Sequence, residues 1–88
     1  MSDSTTMLAA AQDAARTVGY LHTAAILHAA AVIAGEADGW APYDRGDLYE
    51  RFGRGARSLP HFERYSPIRE LYLAAQAHLR ALAEAARG

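Results

Sequence analysis

Nineteen consecutive residues, 17–35, carry no formal charge, and alanine, leucine, isoleucine and valine supply most of them. A short chain can tolerate such a stretch only by burying it, because removing apolar surface from water is the main favourable term in folding. The covering surface is the rest of the chain, a second copy of it or a lipid bilayer. Alanine is only weakly hydrophobic, and His22 and His28 would lie inside a membrane span. We therefore expect burial against protein and no membrane span.

Length and composition predict a single domain over residues 1–88 with one modest core. A chain of this size buries only about 60% of its unfolded surface, so self-association would add stability. The absence of cysteine excludes disulfides and thiolate metal sites, and Asp3 stands where a secretory signal needs basic residues, so we expect a cytoplasmic protein. Nine basic residues, all arginine, face ten acidic residues, and the net charge of −1 gives no overall attraction to nucleic acid or anionic membranes.

The N-terminal third predicts one long helix from Thr5 to Ala34, because alanine dominates it and proline is absent. Ser2, Asp3 and Ser4 are candidate caps, and Gly35 is a candidate stop. Gly19 costs about 1 kcal/mol relative to alanine inside a helix, and whether the helix is straight or broken there stays open. Apolar residues cover several faces of this helix, which predicts a central position or a place in a homodimer interface.

Two further helices are predicted after a loop over residues 36–43. A short helix over residues 45–52 is capped by Asp44 and ends at Gly53. The last helix begins at Ser66 and Pro67, a cap and first-turn pair. Its apolar stripe consists of Ile68, Leu71, Tyr72, Ala75, Leu79, Leu82 and Ala86. The sequence thus predicts an all-α fold, a compact bundle of three to four helices with a long N-terminal, a short middle and a C-terminal helix.

Residues 40–65 differ in composition from the rest of the chain, since they hold six of the eight aromatic residues and five of the nine arginines. Tryptophan, tyrosine and arginine dominate the binding energy of protein interfaces. For Leu48, Phe52 and Phe62 we expect burial in the core, whereas Trp40 and Tyr43 fit either interpretation. The predicted partner-binding residues are Trp40, Tyr43, Arg51, Arg54, Arg57, His61 and Arg64.

The segment RFGRGAR, residues 51–57, allows two interpretations. Its glycines leave backbone amides accessible and its guanidinium groups match phosphate or carboxylate, so it could bind an anion. Asp47 and Arg51, and likewise Glu50 and Arg54, stand four residues apart with the acid first, which favours ion pairs on a helix surface. Both interpretations stay open.

DNA binding is the alternative function, because residues 48–65 resemble a helix-turn-helix: a short helix ending in Phe-Gly, a three-residue turn and a second candidate helix. Two details count against it. Tyr49 occupies the position where two crossing helices need a small residue, and Pro60 interrupts the would-be recognition helix. Residues 45–65 hold five arginines against three acidic residues, a net charge of +2, which would attract phosphate only slightly.

Catalytic and metal-binding patterns are weak. Ser58 and His61, with Glu63 or Asp44 as orienting carboxylates, form the only nucleophile and base neighbours, without a nucleophile elbow or an oxyanion loop. His61 and Glu63 do not complete a metal-ligand motif. We therefore expect no catalytic residues, no metal and no cofactor. The predicted function is a non-enzymatic helical interaction module that binds a protein partner, as a regulator or an inhibitor encoded by a phage or mobile element, with a homodimer through the N-terminal helix as a second expected association.

Overall fold

The computed structural model describes residues 4–87, which form four α-helices and one 3-10 turn. The helices are α1 (Ser4–Val18), α2 (Thr23–Ile33), α3 (Pro42–Ser58) and α4 (Ser66–Arg87), and the turn Glu63–Tyr65 leads into α4. The prediction of an all-α bundle is confirmed. Two of the predicted caps, Ser2 and Asp3, lie outside the described residues. The expectation about export, which rests on Asp3, falls outside them as well. Within residues 4–87, no helix combines the length and the apolar character needed to cross a membrane.

The N-terminal helical segment is broken at Gly19, so the prediction of one continuous helix from Thr5 to Ala34 is wrong. Gly19 adopts a φ of 72°, a left-handed conformation that glycine reaches without steric cost. The N–H of Tyr20 donates to the carbonyl of Ala15 at 2.9 Å, which closes α1 with the hydrogen bond of a Schellman motif. Gly35, with a φ of 107°, ends α2 in the same way, and its prediction as a helix stop is confirmed.

Helix α3 is longer than the predicted helix over residues 45–52 at both ends. It begins at Pro42, so Asp44 lies in the first turn and its prediction as the cap is wrong, and Gly53 and Gly55 do not end the helix. A Cβ atom on Gly53 would lie 2.7 Å from Nε2 of Gln76, and one on Gly55 would lie 3.1 Å from the ring of Tyr72. The two glycines therefore permit α3 to approach α4 closely, and this packing outweighs their low helix propensity. The helix ends only at residues 59–60, where Leu59 is extended and proline follows.

Because α3 continues past Gly53 and Gly55, residues 48–65 do not form the helix-turn-helix that they resemble in sequence. Helix α3 runs straight through the expected three-residue turn, and residues 59–62 are not helical. Only the single turn Glu63–Tyr65 forms where a recognition helix was considered. Helices α3 and α4 therefore form a helical hairpin with an irregular connection.

One apolar core joins all four helices, and α4 lies at its centre because it contacts each of the other three. The central element is thus the C-terminal helix and not the N-terminal segment. The core prediction is confirmed for Leu48 and Phe52 and is wrong for Phe62, which is 58% exposed beneath the guanidinium of Arg64. The fully buried core residues include Ala11, Ile26, Ala29, Val32, Ile68, Leu71 and Ala75. Several of these are alanines, so the helices can approach one another closely.

Two polar contacts tie the connecting segments to α4. The hydroxyls of Tyr20 and Tyr72 are 2.8 Å apart and join the link between α1 and α2 to the centre of the bundle. Burial and, to a lesser extent, the hydrogen bond between its hydroxyl and that of Tyr20 raise the pKa of Tyr72 well above its ordinary value. At the other end, Nη2 of Arg69 donates to the carbonyl of Pro60 at 2.6 Å. These contacts hold two turns of the chain against the helix that forms the core.

Candidate functional site

A groove of about 490 Å³ opens between the N-terminal half of α3 and the C-terminal half of α4. We call it the α3–α4 groove. Its lining residues differ in chemistry, and we name them accordingly: the apolar ones are the floor, Pro42, Gly46, Leu79, Ala83 and Ala86, and the arginines and the tyrosine are the rim, Arg45, Tyr49, Arg80 and Arg87. A Cβ atom added to Gly46 would meet nothing within 4 Å, so this glycine widens the groove. The volume falls within the range of about 300–1,000 Å³ that ligand sites occupy.

Two of the rim arginines are held in place by uncharged acceptors. Nη2 of Arg80 donates to the hydroxyl of Tyr49, and the guanidinium carbon lies 5.5 Å from the centre of the Tyr49 ring. Nη1 of Arg45 donates to the backbone carbonyl of Asp38 at 3.1 Å. Neutral acceptors orient a guanidinium group without cancelling its charge. The rim is therefore positively charged, and two of its three arginines are oriented.

A smaller depression adjoins the groove at the contact between Tyr49 and Arg80. It is lined by Leu73, Gln76 and Ala77 in addition to those two residues. Nε2 of Gln76 donates to the backbone carbonyl of Tyr49 at 2.9 Å and fastens α3 to α4 at this point. The groove and the depression thus follow the line along which α3 and α4 meet.

The loop between α2 and α3 is fixed beside the groove by Asp38. Its Oδ1 lies 2.8 Å from Nε2 of His78 on α4, while its backbone carbonyl accepts from Arg45. This contact joins a residue of α4 to the loop that leads into Pro42, the first residue of α3. Trp40 and Tyr43 flank that point and are both exposed, Tyr43 by 83%.

None of the seven predicted site residues lines the α3–α4 groove, although all seven are exposed. Tyr43, Arg54 and Arg57 lie on the side of α3 that faces away from the core, which also carries Asp47 and Glu50. We call these five residues the outer face of α3. The remaining predicted residues are Trp40 in the preceding loop, Arg51 at the border of the outer face, and His61 and Arg64 in the connection to α4.

The structure answers part of the question whether the RFGRGAR segment, residues 51–57, binds an anion or forms ion pairs on the helix surface. Arg51 pairs with Asp47 at 3.1 Å, as the spacing predicted, whereas Glu50 and Arg54 do not come within ion-pair distance. The idea of accessible backbone amides at Gly53 and Gly55 is wrong, because both residues lie inside α3. Whether Arg54 and Arg57 bind a partner stays a prediction.

A structural role also accounts for the charges of α3. Its acidic residues, Asp44, Asp47 and Glu50, lie in the N-terminal half, and its last three arginines lie in the C-terminal half. At the helix ends this order complements the helix dipole, where Asp44 in the first turn and Arg57 in the last turn each contribute about 0.3–1 kcal/mol at low ionic strength. Arg57 therefore supports the helix even before any partner is considered.

Ser58, the candidate nucleophile, has its hydrogen-bond partner within α3. The hydroxyl of Ser58 donates to the carbonyl of Gly55 at 3.0 Å, a contact that caps the end of α3. The ring of His22 lies tilted beside that of Tyr20, and the ring of His28 meets that of Phe52 edge-on. Nε2 of His28 lies 4.0 Å from a carboxylate oxygen of Glu36. In residues 4–87 no three histidine, aspartate or glutamate side chains converge where they could hold a metal ion.

Sequence reasoning missed the groove because its parts are 30 residues or more apart in the chain. The apolar stripe of the last helix accounts for Leu79, but no local signal connects Tyr49 of α3 with Arg80 and Arg87 of α4. The one local signal is the seven-residue spacing of Arg80 and Arg87 with Ala83 between them, which places all three near one side of a helix. Only the pairing of α3 with α4 shows that this side borders an opening.

Comparisons with protein-family models, with curated proteins and with solved structures find no significant match to this chain. The proposals that follow therefore rest on geometry and chemistry alone.

Proposed function

We propose that the protein is a non-enzymatic interaction module that binds a protein partner in the α3–α4 groove. One observation carries the proposal: an open, apolar-floored groove is bordered by three arginines and a tyrosine. Apolar grooves between helices are common binding sites for partner segments, and arginine and tyrosine are enriched among the residues that dominate interface energy. Tyr43 and Trp40, exposed beside the start of α3, would extend the contact.

The order of the rim supports this function energetically. Binding costs about 0.5–1.5 kcal/mol for each flexible side chain that must be immobilised. Arg80 and Arg45 already have hydrogen-bond partners in the free protein, so less of this cost remains at binding. The groove therefore offers a partner a surface that is partly arranged in advance.

The predicted arginines outside the groove fit a peripheral role. Arg51, Arg54 and Arg57 on α3 and His61 and Arg64 in the following connection are exposed. Exposed charges at the edge of an interface mainly change the rate of association and its dependence on salt. We propose that they steer the partner, and that the protein acts in the cytoplasm as a small regulator or inhibitor of the partner it occupies.

Filling the groove tests the proposal. Ala83→Trp places a large ring on the groove floor, and we expect at least a tenfold lower recovery of the partner that the immobilised wild-type protein captures from host extract. Ala81→Trp is the matched control, since Ala81 is exposed on the same helix but does not line the groove. Quantitative mass spectrometry measures recovery, and thermal unfolding confirms that both variants are folded.

Equal recovery with Ala83→Trp and with wild type would contradict a binding site in the groove. A 20-base-pair DNA duplex in a fluorescence anisotropy assay forms a second arm of the experiment. We expect no binding at low salt, because the outer face of α3 carries as many acidic residues as arginines. Salt-sensitive binding to the duplex would instead favour the nucleic-acid alternative.

We further propose weak self-association through the outer side of α2. This side is uncharged and carries the exposed Leu27 between Ala24 and Ala31, with the exposed Leu21 just before the helix. An uncharged apolar surface can face a copy of itself without repulsion between like charges. Helix α2 has only 11 residues, a length of about 16 Å, so the interface would be small and the dimer transient.

Leu27→Glu tests the dimer. We expect wild-type protein at high micromolar concentration to show a dimer in sedimentation velocity, and Leu27→Glu to be monomeric, because two-fold symmetry would bring two carboxylates together. Leu73→Glu is the control: Leu27 is 51% and Leu73 46% exposed, but Leu73 lies on α4. A monomeric wild type, or equal effects of the two substitutions, would contradict association through α2.

A further inference from the structure

We propose that the α3–α4 groove binds an acidic amphipathic helix of the partner protein. This inference rests on the proposed function and specifies the chemistry of the segment bound. It is carried by the charge of the groove, by the way its arginines are held and by their spacing.

The charge of the groove is of one sign. Three arginines and no acidic residue line it, in a chain whose net charge is −1. Within residues 4–87 no carboxylate lies at ion-pair distance from Arg45, Arg80 or Arg87, while carboxylates elsewhere pair with Arg16 and Arg51. A cationic rim around an apolar floor is complementary to an anionic, apolar ligand.

The hydrogen bonds of the rim leave most of its donors available. A guanidinium group has five N–H donors in a fixed fork. Arg80 uses one of them on the hydroxyl of Tyr49, and Arg45 uses one on the carbonyl of Asp38. The remaining donors match carboxylate groups, with which arginine forms charge-assisted and often bidentate bonds. Glutamate and aspartate are therefore the side chains that the rim would recognise.

The shape of the groove favours a helix as the occupant. Both walls are α-helices, whose backbone groups bond within the helix, so the groove has no strand edge on which an extended peptide could pair. The floor contains Gly46, Ala83 and Ala86, small residues that allow another helix to approach closely. Leu79 supplies a larger apolar contact at the deep end.

The spacing of the rim arginines sets a register. Arg80 and Arg87 are seven residues apart on α4, which corresponds to two helical turns and about 10 Å along the axis. A partner helix lying along the groove presents acidic side chains at the same interval when they are at positions i and i+7. The proposal therefore specifies an apolar face flanked by acidic residues one heptad apart.

Three synthetic helical peptides of 18 residues test this inference directly. They share one apolar face of leucine and alanine, have blocked termini, and carry glutamate, glutamine or lysine at the flanking positions i and i+7. Fluorescence anisotropy with labelled peptides at 50 mM and 300 mM NaCl measures binding to the wild-type protein. We expect the glutamate peptide to bind at least tenfold more tightly than the lysine peptide at 50 mM NaCl, with a smaller ratio at 300 mM because salt screens the charges.

Matched double variants show whether the rim is responsible. Arg80→Gln combined with Arg87→Gln should weaken binding of the glutamate peptide at least fivefold. Arg54→Gln combined with Arg57→Gln changes the net charge equally but removes only charges proposed to steer the partner, so it should weaken binding clearly less, by about twofold, and only at 50 mM NaCl. Thermal unfolding of both variants shows whether either has lost structure, because an unfolded variant would also bind the peptide less tightly.

Equal affinity for the three peptides, no binding of any of them, or equal effects of the two double variants would overturn the inference. The capture experiment with Ala83→Trp distinguishes this failure from failure of the proposed function. If groove filling still abolishes capture, the groove binds a partner of different chemistry. If capture is unchanged as well, the groove is not the binding site.

Discussion

Tyr72→Ala is expected to lower the free energy of unfolding by about 3–5 kcal/mol, the cost typical of removing a buried aromatic side chain. Tyr72 is 1% exposed and its ring stacks on Phe52 at a centroid distance of 6.0 Å. The same ring covers Gly55, and its hydroxyl contacts that of Tyr20. Truncation would leave a cavity where α3 and the link between α1 and α2 meet α4. Small domains have a total stability of about 5–15 kcal/mol, so the variant would be close to unfolding.

Urea unfolding followed by circular dichroism measures this effect. Tyr72→Phe keeps the ring and removes only the hydroxyl, and should cost about 1 kcal/mol, the net contribution of a typical hydrogen bond. Tyr43→Ala is the exposed control and should change stability by less than about 0.5 kcal/mol. Similar losses for Tyr72→Ala and Tyr43→Ala would contradict the central position of Tyr72.

Helix α4 could be predicted from the sequence because every local signal agrees there. Ser66 and Pro67 begin the helix, and the apolar residues then recur with one helical period for five turns. Four of these residues, Ile68, Leu71, Tyr72 and Ala75, are at most 1% exposed in the folded protein. A pattern of this length leaves a single arrangement in which the apolar side is buried.

The break at Gly19 could not be decided from local signals. A glycine inside an alanine-rich segment costs about 1 kcal/mol, which neighbouring residues can offset. The decisive interactions are the hydrogen bond that closes α1 and the contact between Tyr20 and Tyr72, 52 residues away in the chain. The contact between Tyr20 and Tyr72 exists only once α4 is in place, so no pattern within the N-terminal segment could reveal it.

The glycines of α3 were misinterpreted for a related reason. Gly53 and Gly55 resemble a helix end when only propensity is considered. In the fold, each lies against a side chain of α4 that leaves too little room for a Cβ atom without adjustment. Glycine is thus explained by the approach of two helices and not by the conformation of its own backbone.

Amino-acid composition indicated only the part of the candidate site that lies on α3. The enrichment of arginine and tyrosine over residues 40–65 drew attention to α3, and the predicted pair of Asp47 and Arg51 forms. The groove, however, takes five of its nine lining residues from α4, where Arg80 and Arg87 cannot be distinguished from solvent-facing arginines by sequence. The three-dimensional pairing of the helices determines which arginines share an apolar neighbour.

Ala75→Asp is expected to destabilise the protein by more than about 3 kcal/mol, because it places a carboxylate in an apolar core without a partner. Ala75 is fully buried at the centre of α4, and no charged side chain among residues 4–87 is buried to a similar degree. An added carboxylate would find no cation there to offset its desolvation. The small side chain at this position also indicates close packing, so the larger aspartate would displace its neighbours.

Ala77→Asp is the matched control, since Ala77 is two residues away on the exposed side of the same helix. Both substitutions lower helix propensity equally, by about 0.7 kcal/mol or less, so their difference isolates the cost of burial. Urea unfolding at pH 7 should give a difference of at least about 2 kcal/mol between the two variants, in line with the penalty for an unpaired buried polar group. Equal stabilities would mean that residue 75 faces solvent, and would contradict the placement of α4 at the centre of the bundle on which the α3–α4 groove depends.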